Sequence, residues 1–182
     1  MSTYLRSVAA VSLALFAAPF ASGASPRTQH QMPPGMSHED HLKQIQKDAE
    51  LKKRGAAAMG FDQDRTAHHF LLAPDGGTID VAVKEPSDEM NRKEIRAHLK
   101  EIARDFTRGD FAKPFATHGE TPPGVEAMRD LQRVIHYRYE QTPLGGRVRI
   151  SSSDPAARTA IHEFLSYQIR EHATGDSLTP GK

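Results

Sequence analysis

The sequence has no cysteine and no tryptophan. Without thiols there is no disulfide framework, thiolate zinc site, iron–sulfur cluster or cysteine nucleophile. An excess of one charge is missing too. Lys and Arg number 24 against 23 Asp and Glu, a formal net charge of +1, so no whole-molecule field draws nucleic acid or an anionic membrane. Local catalytic signatures are absent as well: no G-x-S-x-G elbow, no H-E-x-x-H, no P-loop and no G-x-G-x-x-G. His162-Glu163 lacks the second histidine four residues on. What is present in excess is histidine, with 10 residues.

One apolar run exists, Val8 to Phe20, preceded by Arg6, interrupted by Pro19 and followed by Ala21, Ser22, Gly23 and Ala24. It is too short to span a bilayer comfortably. A charged start, an apolar stretch and a small-residue exit match a secretory signal peptide over residues 1–24. The expectation is a secreted protein, most simply periplasmic, of about 158 residues and no integral membrane segment after signal removal.

That length fits one domain. Residues 25–36 are rich in Pro, Gln and Met without periodicity and read as a disordered leader. Ser37 and Asp40 have capping-box spacing and open a charged helix over 37–55, with a thin stripe of Leu42, Ile45 and Ala49. The compact part, residues 60–177, shows a duplication. His68-x-Phe70-x-Leu72 and Ile79-x-Val81-x-Val83 flank Gly76-Gly77; Tyr137-x-Tyr139 and Val148-x-Ile150 flank Gly145-Gly146. Both read as β-hairpins turning at the Gly-Gly pair. A helix follows each: Ile95, Leu99, Ile102 and Phe106 up to Gly109, and Ile161, Leu165, Gln168 and His172 up to Gly175, the second capped by Asp154-Pro155. A further helix, Val125 to Arg133, bridges them, and residues 178–182 read as a disordered tail. The expected fold class is α+β: two ββα units forming a four-stranded antiparallel sheet with the helices on one face.

Met59-Gly60-Phe61-Asp62-Gln63, His68-His69-Phe70, Asp75-Gly76-Gly77 and the ending Phe164-Leu165…Gln168-Ile169-Arg170-Glu171-His172…Gly175-Asp176 resemble a group of small secreted bacterial proteins of uncharacterised function. The likeness covers nearly all of the mature chain and implies secretion, but no activity. Some members of that group bear the description aspartate carbamoyltransferase. The Ser-Thr-Arg-Thr phosphate loop and two sizeable domains of that enzyme are not in this sequence.

Five places carry candidate chemistry. The leader and first helix bring Met32, Met36, His38 and His41, with His30 upstream; thioether and imidazole ligands together favour copper, and imidazole also suits zinc. The plain alternative is a polar leader with incidental ligands. His68-His69 point to opposite faces of a strand, His68 toward the helices. His98 and His172 fall on the buried stripes of their helices, where core packing is the common role; the helix C-terminus also favours a protonated His172. His68, His98 and His172 form a candidate metal trio if the helices pack side by side. His136, Arg138, Arg147 and Arg149 alternate onto the open sheet face, an anion or partner surface unless Asp80 and Glu140 balance it. The aromatic residues between them point the other way, against a nucleic-acid stacking platform. The loop from Phe111 to Pro123 holds His118 and Glu120 and has the length of a binding loop or a simple linker.

The sequence therefore reads as a secreted, non-enzymatic binding protein for a transition metal, copper ahead of zinc, through the Met/His leader and, if its histidines converge, a His cluster on the domain. The alternatives are a protein–protein, homo-oligomeric or small-anion module using the basic face, and a small enzyme built on His98, His118 and His172.

Overall fold

A computed structural model describes residues 35–181 of the chain. The expected signal peptide, His30 and Met32 lie outside the described residues. From Ser37 onward the chain is one compact unit. Its elements in order are α1 (His38–Met59), a 3-10 turn (Gln63–Arg65), β1 (Thr66–Ala73), β2 (Gly76–Val83), α2 (Glu89–Thr107), α3 (Ala112–His118), α4 (Val125–Asp130), a second 3-10 turn (Gln132–Val134), β3 (His136–Thr142), β4 (Gly145–Ser151) and α5 (Pro155–Glu171). No helix among the described residues is long and apolar enough to cross a membrane.

The strands form one antiparallel sheet in the order β1-β2-β4-β3. Period-two alternation puts Phe70, Leu72, Ile79, Val81, Val148 and Ile150 on the face that the helices cover, and all six are buried. The fold class is thus α+β, as the repeat pattern implies. Each unit's helix, however, lies mainly on the other unit's hairpin: α2 packs on β3 and β4, and α5 on β1 and β2. Positions 66 apart in the two helices make the same link. Arg96 donates from Nε to Gly145 O (3.0 Å) and from Nη2 to Thr142 O (2.8 Å), while His162 Nε2 donates to Ala73 O (2.9 Å). Each side chain ties its helix to the turn of the opposite hairpin.

The hairpin turns are not at the glycine pairs. They are Pro74-Asp75 and Pro143-Leu144, and the glycines begin the following strands. Of the four glycines only Gly76 has a positive φ, 143°. Close approach explains the rest: a Cβ on Gly145 would lie 2.1 Å from Val81 O, and one on Gly77 2.3 Å from Leu165 Cδ1.

The helix ends follow the expected signals. Ser37 Oγ accepts from Asp40 N–H (3.1 Å) and Asp154 Oδ1 from Ala157 N–H (3.0 Å), while Gly109 and Gly175 adopt left-handed conformations. α1 runs on to Met59 rather than stopping near 55, and it is docked: Leu51 is buried, and Arg54 donates to Thr117 O and His118 O. The segment after Phe111, read as a loop, contains the seven-residue α3. The bridging helix α4 stops at Asp130 and passes into the 3-10 turn. Of the expected tail, Gly181 N–H donates to Leu72 O (3.1 Å) and so lies beside β1.

Phe106 is at the centre of the core, fully buried, stacked on Phe111 with ring centroids 4.4 Å apart and edge-on to Tyr137 and Phe164. Phe106→Ala is expected to destabilise the protein by about 3–5 kcal/mol in chemical denaturation. Leu42→Ala, on the exposed face of α1, should stay within about 0.5 kcal/mol of wild type.

Candidate functional site

The exchange of helices brings His68 (β1), His98 (α2), His118 (the end of α3) and His172 (the C-cap of α5) to the wall of one cavity of about 60 Å³. A water needs roughly 10–15 Å³ on this measure, so the space suits a few waters or one ion. The remaining wall is largely apolar, with Lys113, Thr117 and Gln168 as its other polar side chains.

His172 is central. Its ring centroid lies 5.9 Å from His68, nearly parallel, and 5.2 Å from His118, edge-on. Phe61 packs on both His68 and His98, its ring 5.7 Å from each. The expected trio lines the one cavity, and His118 joins it there.

The duplication shows where the cavity comes from. His172 stands where the first helix has Phe106, Gln168 where it has Ile102, and His68 where the second hairpin has Tyr137. Phe106 packs on Tyr137 at 5.7 Å, just as His172 packs on His68. Imidazoles are smaller than phenyl or phenol rings, so the same layer closes in one unit and leaves space in the other.

The imidazoles are held neutral. Burial lowers His68 to about 4, helped by the charges of His98, His69 and Lys84; it lowers His98 to about 4, with the Lys113 ammonium acting in the same direction. His172 falls to about 3 through burial and its two histidine neighbours. The α5 terminus does not keep His172 protonated, because desolvation outweighs the dipole. Burial also lowers His118, partly offset by its bond to Gln168.

That bond fixes a tautomer. His118 Nε2 lies 2.9 Å from Gln168 Oε1, which only accepts, so Nε2 carries the proton and Nδ1 is a bare lone pair. Nδ1 is buried without a hydrogen-bond partner, as are His68 Nε2 and Gln168 Nε2. Three unsatisfied polar atoms on residues lining one cavity is an uncommon concentration. Among the described residues, no three His, Cys, Asp or Glu side chains are already placed to hold a metal ion.

The other candidates sort differently. His38 is exposed on the first turn of α1 and His41 half-buried one turn on, with Met36 just ahead of the helix. His136, Arg138, Arg147 and Arg149 do share the open face, but acids balance the arginines: Arg138 pairs with Glu140 (3.5 Å), Arg147 with Asp80 (3.5 Å) and Arg149 with Asp75. His69 pairs there with Asp176 at 2.9 Å. The face is an ion-pair belt rather than a bare positive patch. His118 and Gln168 were visible in sequence only as a loop residue and a helix-stripe residue. The Phe111, Pro114 and Thr117 spacing is the signal that marks α3 and brings His118 inward.

Comparison with protein-family models, curated proteins and solved structures finds no match to the chain.

Neutral burial has a pH signature. Each lowered histidine binds its proton in the unfolded chain first, near 6.5, and in the folded chain only near 4 or below. Its stabilising contribution is thus complete above 6.5 and is lost as the pH falls toward 4. The thermal midpoint is expected to drop steadily between neutral pH and about pH 5. His172→Phe, which installs the residue of the matching position, should flatten that slope. A midpoint unchanged over this range would contradict the neutral cluster.

Proposed function

We propose that the protein is a secreted, non-enzymatic binding protein that seats a transition-metal ion, copper ahead of zinc, in the histidine cavity rather than on the Met/His leader. The observation that carries this reading is the His118–Gln168 hydrogen bond. A metal-ligating histidine characteristically gives its second N–H to a carbonyl or carboxylate, which fixes the tautomer and bares the ligating nitrogen. His118 Nδ1 is bared in this way, with His172 beside its ring and His68 on the far side of His172. Ligation needs unprotonated imidazole, and burial supplies it at neutral pH. Small turns of the rings toward the cavity complete the set, since no three donors converge beforehand.

A small neutral hydrogen-bonding molecule is the second reading, favoured by that same lack of a prepared donor set and by the apolar walls. Equilibrium dialysis against copper and zinc near neutral pH separates the two. The expected result is about one ion per chain, uptake reduced at least about tenfold in His118→Ala and His172→Phe, and uptake unchanged in a Met36→Ser, His38→Ala, His41→Ala variant. Uptake should persist to about pH 5, where an ordinary histidine site with a pKa near 6.5 releases its metal. No stoichiometric uptake, or uptake that follows the α1 substitutions, would overturn the reading.

A further inference from the structure

We infer that the outer edge of β3, together with the cationic side of α2, is a docking groove for an extended acidic peptide segment of a partner protein.

The two sheet edges are treated differently. In each two-residue hairpin the closing pair is hydrogen-bonded, so main-chain groups of alternate residues point outward: Phe70 and Leu72 on β1, and Tyr137, Tyr139 and Gln141 on β3. Two of these β1 groups are occupied. Phe70 N–H donates to Asp176 Oδ2 (2.9 Å), and Leu72 O accepts from Gly181 N–H (3.1 Å). Among the described residues nothing pairs with the outward groups of β3. An open edge is a ready template for strand addition, in which main-chain bonds give affinity and flanking side chains give selectivity.

The flank is basic. Lys100, Arg104 and Arg108 recur at four-residue spacing along α2, all exposed, and line a groove with Tyr137 and Tyr139. Arg108 is paired with Asp105, and Glu101, the groove's acid, lies 3.6 Å from Lys113. Lys100 and Arg104 have no carboxylate partner among the described residues; Lys100 rests 5.4 Å over the Tyr139 ring. Tyr137 and Tyr139 line this groove. Cations without a carboxylate partner on one side and an unpaired strand alongside call for carboxylates on an extended chain.

Two other occupants fit worse. A second copy paired edge to edge would bring its own basic α2 stripe against this one. Residues 25–34 of the chain contain no acid and carry Pro33-Pro34, which cannot donate to a ladder.

The test uses fluorescence anisotropy with a labelled peptide of alternating Glu and Val and a Lys/Val control. The expected result is saturable binding of the acidic peptide only, weakened by salt and at least about tenfold weaker in Lys100→Glu, Arg104→Glu. Gln141→Pro removes one outward N–H, which an edge strand tolerates, and should weaken binding similarly. Should that variant unfold, slowed amide exchange at Tyr137, Tyr139 and Gln141 of the wild-type protein on peptide addition replaces it. No binding, equal binding of both peptides, binding retained in Gln141→Pro without exchange protection, or self-association that Gln141→Pro abolishes would each overturn the inference. His172→Phe leaves this groove intact, so the result is independent of the metal reading.

Discussion

Everything in this molecule depends on each hairpin being covered by the helix of the other unit. A two-stranded hairpin buries too little apolar surface to stand alone, and its own helix does not supply the cover here. α2 lies over β3 and β4, α5 returns over β1 and β2, and the two central strands join the halves into one sheet. Arg96 and His162 enforce this by bonding to carbonyls at the opposite turns. Neither unit is closed without the other, so the packing of Phe106 and Ile161 is a property of the whole domain. The same exchange sets the end of α5 against β1, and His172 meets His68 for that reason alone.

The cavity is then a departure from internal symmetry. In one layer Phe106 and Tyr137 fill the space between helix and sheet; in the other, His172 and His68 occupy the matching positions and Gln168 replaces an isoleucine. A core under selection for stability alone gains nothing from these replacements. They bring unsatisfied nitrogens, a void and imidazoles that burial keeps from protonating. Such local violations of packing rules cluster where a protein binds something. Burial outweighs the pull of Glu171 and Glu120 on His118 and of Asp105 on His98, and so keeps these imidazoles as lone-pair donors.

Local chemistry in the chain was a good guide to elements and faces. Alternation around Phe70 and Tyr139 located the strands, Asp154-Pro155 and Ser37 located helix starts, and the same alternation placed Arg147 and Arg149 on the open face. Where two physical causes leave one local trace, the reading went astray. Gly145-Gly146 looks like a turn, yet its glycines are there because Val81 O and the Tyr139 ring approach closely. α3 was hidden because Pro114 and a seven-residue length leave almost no periodicity. His98 flanks Leu99 on a stripe and does reach the cavity with His68 and His172, where Phe61 packs on both His68 and His98. His118 enters the site at the end of α3, where the Phe111, Pro114 and Thr117 spacing gives the helix its buried face, but its meeting with His172 is a long-range outcome.

The two halves depart in opposite directions from the same ββα plan. The first hairpin has an outer edge partly closed by Asp176 and Gly181, and imidazoles in its interior layer. The second has an aromatic interior layer, with the Tyr137 and Tyr139 hydroxyls buried in it, and an open outer edge beside the cationic side of α2. Both arrangements follow from chain order: the segment after α5 runs beside β1 because α5 crosses to the first hairpin, whereas the segment after α2 turns away through α3 to build the cavity wall. One continuous chain therefore cannot close both edges with its own C-terminal residues. The partly closed edge belongs to the unit whose interior layer is built of imidazoles, while the open edge belongs to the unit in which Tyr137 packs edge-on to Phe106 and Phe106 stacks on Phe111.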